Sequence, residues 1–140
     1  MEQTQPDQGQ KSESKESLRP SILVVEDDKS IGDLLALGFR LFYINASIVP
    51  TVEEAKELIK SGKFSLVITD YMLPDGSGID VVRASKELDA SVPVILYTSY
   101  VVDEKFKAMM EREKFNGSIS KSSGIPDLID CINANLGQSY

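Results

Sequence analysis

Residues that could do chemistry directly follow four predicted strands. Glu26 and Asp27 come after the first, Asp70 after another, Thr98 after a third and Lys121 after the last. Most of these strands are apolar without alternation, which is typical of strands buried on both faces of a parallel sheet. The carboxyl ends of parallel strands lie along one edge of a sheet, so the five side chains are predicted to converge there.

The chemistry of this set follows from its charges. Three carboxylates close together repel one another, and a hard divalent cation such as Mg²⁺ would relieve the repulsion. Asp27, Asp70 and a phosphoryl oxygen could supply ligands for Mg²⁺, and a carboxylate can attack phosphorus to form an acyl phosphate. Lys121, the Thr98 hydroxyl and the backbone N–H groups beginning at Ser99 would stabilise the phosphoryl oxygens. The residues therefore predict a phosphoryl acceptor site.

The elements that must position these residues alternate between strand and helix. Apolar runs predict strands at 22–25, 46–49, 66–68, 92–97 and 118–120, and a helical pattern follows each of them. Asp28 or Ser30 could cap the first helix, and Thr51 with Glu54 has the spacing of a capping box. Strict alternation predicts an α/β fold, with one doubly wound five-stranded parallel sheet and five helices on its two faces.

Two further helix starts and two helix faces are predicted. Ser77 with Asp80 marks the start of the third helix, and Pro126 lies in the first turn of the last. Helical spacing predicts an inward face on the first and fourth helices. The inward residues are Ile31, Leu34, Leu35, Gly38 and Leu41 or Phe42 in the first, and Val102, Phe106, Met109 and Met110 in the fourth.

Length and composition define one folded unit. The 140 residues suit a single domain, and residues 1–20 contain only Met1 and Leu18 as sizeable apolar side chains. Such a segment cannot bury enough surface to offset its ordering entropy, so we predict a disordered tail over 1–20 and a domain over 21–137.

Charge and residue usage exclude several functional classes. The net charge of −7 and the lack of a basic cluster argue against direct binding of nucleic acid. The absence of histidine excludes histidine-dependent catalysis and histidine zinc sites. No segment has the length and apolarity of a membrane span or a signal peptide, and the single Cys131 agrees with a reducing compartment. A cytoplasmic location is the expectation.

Four sequence motifs resemble the receiver domain of bacterial two-component response regulators. They are Val-Val-Glu-Asp-Asp at 24–28, Val-Ile-Thr-Asp-Tyr-Met-Leu-Pro-Asp-Gly-Ser-Gly at 67–78, Val-Ile-Leu-Tyr-Thr-Ser at 94–99, and the lone Lys121. The resemblance covers about residues 21–137. It implies a flavodoxin-like sheet with strand order 2-1-3-4-5.

The resemblance also implies roles for individual residues. Asp70 would accept a phosphoryl group from the phosphohistidine of a sensor histidine kinase or phosphotransfer protein, with Mg²⁺ as cofactor. Thr98 would be the switch hydroxyl, and Lys121 would pair with Asp70 before phosphorylation and with the phosphate after it. The implied metal ligands are oxygen donors: Asp27 and Asp70 directly, Glu26 through water, and the main-chain carbonyl of Met72.

Five positions bear on how such a switch would work. Ser122 stands where receivers usually have a proline after a cis bond, and Ser118 stands where they usually have an aromatic ring. Tyr97 and Tyr100 are near enough to Thr98 in sequence to replace that ring. Tyr100 also lies two residues after Thr98, as Met72 does after Asp70. In this family these two positions flank the phosphoryl group, and their bulk here predicts a long-lived phosphoryl state.

The sequence leaves two functions open. The first is a stand-alone receiver that signals through phosphorylation-dependent protein contacts and catalyses only its own phosphorylation and dephosphorylation, since 140 residues leave no room for a DNA-binding domain. The alternative is a pseudo-receiver that acts as a protein-binding adaptor without phosphorylation, motivated by Ser118 and Ser122. A phosphatase acting on other substrates is disfavoured, because Tyr71 and Met72 follow Asp70 where those enzymes have an Asp-x-Asp pair.

Overall fold

A computed structural model describes residues 20–100 and 103–137 of the chain. Five parallel strands form one sheet in the order β2-β1-β3-β4-β5. The strands are β1 (Ser21–Val25), β2 (Asn45–Val49), β3 (Leu66–Thr69), β4 (Val94–Thr98) and β5 (Gly117–Ser120). The helices are α1 (Lys29–Leu41), α2 (Val52–Lys60), α3 (Gly78–Leu88), α4 (Glu104–Glu113) and α5 (Ile125–Leu136). The predicted fold class and strand order are confirmed.

The three central strands are buried because both faces of the sheet are covered. Alternate residues of β1 point to opposite faces, so Ile22 and Val24 join one core while Leu23 and Val25 join the other. The first core contains residues of α1 and α5, and the second contains residues of α2 and α3. Continuous apolar runs are therefore required in β1, β3 and β4, as the sequence predicts.

The predicted helix starts are present. The Asp28 carboxylate accepts the Ile31 N–H at 3.1 Å, so Asp28 caps α1 and Ser30 does not. Ser77 and Asp80 form a capping box at the start of α3, and Pro126 lies in the first turn of α5. Thr51 caps α2, with its hydroxyl accepting the Glu54 N–H at 3.1 Å. These local bonds fix where each helix leaves the edge of the sheet that carries the acids.

The predicted inward face of α1 was partly wrong. Leu34, Leu41 and Phe42 are 58%, 69% and 48% exposed. Leu35 and Gly38 are buried as predicted, and Ile31 is partly buried against the core. Gly32 and Phe39 are buried in place of the exposed residues. A Cβ built on Gly38 would lie 3.0 Å from the Ile125 side chain, so a close approach of α5 turns this glycine-containing face inward. The inward face is therefore rotated away from Leu34 and Leu41 toward Gly32 and Phe39, and the spacing of apolar residues alone did not show this rotation.

The remaining predictions for elements differ in smaller ways. β4 begins at Val94, although the sequence predicted a strand from 92. In α4, Met109 is buried and Phe106 is partly exposed, while Val102 lies outside the described residues. Residues 1–19 also lie outside the described part, so the predicted tail and the domain limits 21–137 stay predictions. Among the described residues, no helix combines the length and apolarity needed to cross a membrane.

Candidate functional site

Three carboxylates meet at the carboxyl ends of β1 and β3. Glu26, Asp27 and Asp70 each offer an oxygen, and these oxygens lie within 4.8 Å of one another. Glu26 is only 3% exposed, and its Oε2 accepts the Asp28 N–H at 3.0 Å. The convergence predicted from the strand ends is therefore present for all three acids.

Lys121 brings a cation into this cluster from the end of β5. Its Nζ donates a hydrogen bond to Asp70 Oδ2 at 2.7 Å and lies 2.6 Å from Glu26 Oε1. Lys121 thus forms an ion pair with each of the two carboxylates, and the Glu26 oxygen in this pair is fully buried. Burial lowers the pKa of Lys121, but its bonds to Asp70 and Glu26 outweigh burial and hold that pKa above its ordinary value.

The backbone around Asp70 fixes its carboxylate. The Asp70 N–H donates to the Val25 carbonyl at 3.0 Å, which ties the end of β3 to β1. Asp70 Oδ1 accepts the N–H of the next residue, Tyr71, at 2.7 Å. A Cβ on Gly78 would lie 2.5 Å from the Asp70 carbonyl oxygen, so only glycine fits at the start of α3 without displacing the loop.

The loop after Asp70 is a hairpin whose tip is held by α2. Met72–Leu73 pairs with Gly76–Ser77, and the Asp75 carboxylate accepts the Val52 and Glu53 N–H groups at 2.8 and 3.0 Å. These hydrogen bonds, with that from Val52 the largest cause, lower the pKa of Asp75 below its ordinary value of 3.8. Asp75 appeared in the sequence only as part of the motif at 67–78, so its bonds to α2 were missed.

Thr98 lies at the end of β4, and the residue is only 1% exposed. Its Oγ1 accepts the Tyr100 N–H at 3.1 Å. The Thr98 carbonyl accepts the Lys121 N–H at 2.9 Å, which aligns the ends of β4 and β5. Ser99 is exposed. Thr98, Ser99 and Lys121 therefore lie on the same edge as the acids.

Ser122 and Ser118, which replace the usual proline and aromatic ring, lie on either side of Lys121. Ser122 donates its N–H to Ser120 Oγ at 3.1 Å, and the two hydroxyls are 2.7 Å apart. The described peptide bonds are all trans, so the chain after Lys121 follows a different path from the cis bond that the family pattern implies. Ser118 lies in β5, opposite Leu96 of β4.

Of the two tyrosines considered as replacements for a ring at 118, only Tyr100 is placed near the hairpin. Tyr97 is buried in the core below α1 and α5, with its ring centre 5.7 Å from Lys121 Nζ. The Tyr100 hydroxyl contacts the Met72 sulfur. Its ring also packs against Tyr71 and Phe106, two residues that the sequence did not single out as site residues.

The donor set fits a hard divalent cation. Three carboxylate oxygens within 4.8 Å of one another are the ligands that Mg²⁺ prefers, and their mutual repulsion is offset by a nearby positive charge. Lys121 supplies only part of that charge. The Met72 main-chain carbonyl belongs to the adjoining hairpin, and its role as a ligand stays a prediction.

Residues 22–133 match the family model described as the response regulator receiver domain. The chain belongs to this family. The receiver domain is 34% identical over 82 residues to the response regulator protein PilR of Pseudomonas aeruginosa, covering 59% of this chain and 18% of PilR. It is 29% identical over 114 residues to the swarming motility regulation protein RssB of Serratia marcescens, covering 81% of this chain and 52% of RssB. The receiver domain thus spans about half or less of these two relatives.

A solved structure supports the fold. The response regulator receiver domain protein (CheY-like) from Methanospirillum hungatei JF-1 superposes with a TM-score of 0.79 at 24% identity. The match covers 85% of this chain and 94% of that protein. The two chains therefore share the flavodoxin-like arrangement of sheet and helices, which is the fold expected of a receiver domain of a two-component response regulator.

Proposed function

We propose that this receiver domain accepts a phosphoryl group on Asp70 from the phosphohistidine of a partner kinase or phosphotransfer protein, with Mg²⁺ bound beside it. One observation supports this most directly. The Asp70 carboxylate contacts Lys121 Nζ at 2.7 Å and lies within 4.8 Å of the carboxylate oxygens of Glu26 and Asp27. A carboxylate placed between a cation and a metal-binding pair is suited to attack phosphorus and to hold the product.

Phosphoryl transfer from phosphohistidine to Asp70 needs no further reactant. A carboxylate oxygen of Asp70 attacks phosphorus, an O–P bond forms, and the P–N bond of the donor phosphohistidine breaks with its electron pair leaving on the imidazole nitrogen. Lys121, the Thr98 hydroxyl and the Ser99 N–H stabilise the charge on the phosphoryl oxygens. Mg²⁺ would be held by Asp27, Asp70 and the Met72 carbonyl directly and by Glu26 through water, and it would neutralise further negative charge.

The output of the phosphorylated domain would be a protein contact. The family places such contacts on α4, β5 and α5, and the acidic net charge of −7 gives no support for a direct contact with nucleic acid. We also propose a cytoplasmic location, where kinase and receiver could meet. The expectation that the domain acts without an attached output domain stays a prediction from the sequence.

The second candidate is the pseudo-receiver, an adaptor that binds its partner without phosphorylation. The hydrogen bonds between Ser120 and Ser122 favour it, because they set the path of the loop after Lys121 where the family has proline. The intact acids and the bond between Lys121 and Asp70 favour the phosphorylated switch instead.

Acetyl phosphate distinguishes the two candidates. Incubation with acetyl phosphate and Mg²⁺, followed by mass spectrometry of the intact protein, should show the gain of one phosphoryl group. Asp70→Asn should abolish the gain. Asp33→Asn is the matched control, because Asp33 is an exposed carboxylate on α1 paired with Lys29, and it should be phosphorylated as the natural protein is. No mass gain in any of the three proteins would contradict phosphorylation and support the adaptor.

A further inference from the structure

Three aromatic rings pack together next to the candidate phosphorylation site. Tyr71 follows Asp70, Tyr100 lies just after β4, and Phe106 lies in the first turn of α4. The ring centres are 5.8 Å apart for Tyr71 and Tyr100, 5.3 Å for Tyr71 and Phe106, and 6.3 Å for Tyr100 and Phe106. Interplanar angles of 77° to 90° make all three contacts edge-to-face, an arrangement that aromatic rings prefer. We call these residues the aromatic triad.

Two members of the triad are bonded to site residues through their backbone. The Tyr71 N–H donates to Asp70 Oδ1 at 2.7 Å, and the Tyr100 N–H donates to Thr98 Oγ1 at 3.1 Å. Packing of the two rings therefore restrains the backbone segments whose N–H groups orient the carboxylate and the hydroxyl. In the other direction, a change in the bonding of Asp70 or Thr98 moves a ring.

The third member connects the triad to α4. The Phe106 N–H donates to the carboxylate of Asp103, which caps the helix, at 2.9 Å. Phe106 is thus fixed to the first turn of α4, and its ring contacts both tyrosines. Within the described ranges 20–100 and 103–137, these are the aromatic contacts that connect α4 to residues hydrogen-bonded to Asp70 and Thr98.

Among the described residues, the other aromatic candidates near the site offer no comparable connection to α4. Position 118 in β5 has a serine without a ring, and Tyr97 is buried in the core on the α1 and α5 side of the sheet. The contact between the Tyr100 hydroxyl and the Met72 sulfur adds the hairpin to the same cluster. The triad therefore joins the β3 end, the β4 end and α4 at one point.

We propose that Phe106 is a positioning residue for phosphoryl transfer: through Tyr71 and Tyr100 it holds the two N–H groups on Asp70 and Thr98, and it carries the phosphorylated state of Asp70 to α4. The coupling rests on the proposed function, because it requires that Asp70 be phosphorylated.

Phe106→Leu tests the proposal, because it removes the ring edges and keeps an apolar side chain. Phe115→Leu is the matched control, since Phe115 is also partly buried but packs against the core cluster of α2 and α3. Rates of phosphorylation by acetyl phosphate with Mg²⁺ are measured over a range of acetyl phosphate concentrations. Amide NMR spectra of ¹⁵N-labelled protein are recorded before and after phosphorylation.

We expect Phe106→Leu to lower the maximal rate by about three- to tenfold, with a smaller change in the half-saturating concentration, because the reacting groups are less well oriented. The Tyr71 and Tyr100 amide resonances should shift in the unphosphorylated variant, and the response of the α4 amides to phosphorylation should shrink. Phe115→Leu should leave rate and spectra near those of the natural protein, and Phe106→Tyr, which keeps the ring, should restore the rate.

Two results would overturn the proposal. One is a phosphorylation rate and a shift of the α4 amide resonances in Phe106→Leu that equal those of the natural protein. The other is an equal loss in Phe106→Leu and Phe115→Leu, which would indicate general destabilisation. If the natural protein gains no phosphoryl group, the proposed function fails by itself. The spectra of the unphosphorylated proteins then still test whether Phe106 positions the amides of Tyr71 and Tyr100. Unshifted Tyr71 and Tyr100 resonances in Phe106→Leu would contradict that positioning, and shifted resonances would support it.

Discussion

Lys121 and Asp70 are 51 positions apart in the sequence, and Lys121 Nζ lies 2.7 Å from Asp70 Oδ2. The same ammonium lies 2.6 Å from Glu26 Oε1. One cation therefore contacts acids from the ends of two different strands. The arrangement limits the repulsion among the three carboxylates and leaves them available to a divalent cation.

Removing this cation should destabilise the fold and make it dependent on Mg²⁺. Lys121→Met leaves two largely buried carboxylates without their partner, so we expect a loss of about 3 kcal/mol in the free energy of unfolding. Added Mg²⁺ should restore more stability to the variant than to the natural protein, because a ligand of the folded state stabilises it. Urea unfolding with and without Mg²⁺ measures both effects.

Lys29→Met is the control for this experiment. Lys29 pairs with Asp33 at 3.0 Å, but its side chain is 87% exposed, so the same substitution should cost about 0.5 kcal/mol or less. Equal losses in the two variants, or an equal response to Mg²⁺, would show that the Lys121 ion pairs have no special role.

Asp75→Asn should reduce stability in a pH-dependent way. Bonds from the Val52 and Glu53 N–H groups lower the pKa of Asp75 in the folded state. The ionised carboxylate therefore contributes stability above its ordinary pKa of 3.8, and this contribution is lost as the pH falls from there through the lower, folded-state value. The gap in denaturation midpoint between the natural protein and Asp75→Asn should narrow below pH 3.8. A gap that is constant between pH 6 and pH 3 would contradict this cause.

Gly78→Ala should disturb the phosphorylation site through the backbone. The new Cβ would lie 2.5 Å from the Asp70 carbonyl oxygen, so the loop must shift, at a cost of about 1–3 kcal/mol. We also expect slower phosphorylation by acetyl phosphate, because Asp70 moves with its carbonyl.

Gly32→Ala is the matched substitution on α1. Its Cβ would lie 3.5 Å from the Ile48 side chain, an ordinary contact, and alanine should stabilise the helix by about 0.5–1 kcal/mol. The midpoint temperature of thermal unfolding should therefore fall in Gly78→Ala and rise in Gly32→Ala. A stabilised Gly78→Ala protein with natural phosphorylation would exclude the close approach as a constraint.

The lifetime of the phosphoryl group should depend on Met72 and Tyr100. Both side chains are more than half exposed and contact each other through the tyrosine hydroxyl and the sulfur. The pair Met72→Asn and Tyr100→Glu replaces these two bulky side chains with groups that admit and orient water. We expect dephosphorylation in Mg²⁺ buffer to accelerate by about tenfold, equivalent to about 1.4 kcal/mol in the barrier.

The control for this prediction is Leu37→Asn, an exposed apolar residue on α1, which should not change the rate. Loss of phosphate is followed by intact-protein mass spectrometry after acetyl phosphate has been removed. An unchanged half-life in the double variant would show that these two side chains do not restrict water.

The sequence by itself determined which residues end the strands and where most helices begin. Apolar runs such as 22–25 and 66–68, and caps such as Asp28 and Ser77, act over a few neighbouring residues, so one sequence is enough to predict them. The alternation of strands and helices then predicted that the residues after these strands lie at one edge of the sheet. These residues are Glu26, Asp27, Asp70, Thr98 and Lys121.

Only the tertiary structure decided which of these groups meet. Strand order, and the rotation of each helix on the sheet, depend on packing between segments far apart in sequence. That packing buried Gly32 and Phe39 of α1 in place of Leu34 and Leu41, brought Asp75 to the start of α2, and placed Phe106 against Tyr71. Contacts of this kind leave no periodic pattern in the sequence, because each joins two residues far apart in the chain. The local sequence around each of them predicts its own helix, strand or turn without reference to the other.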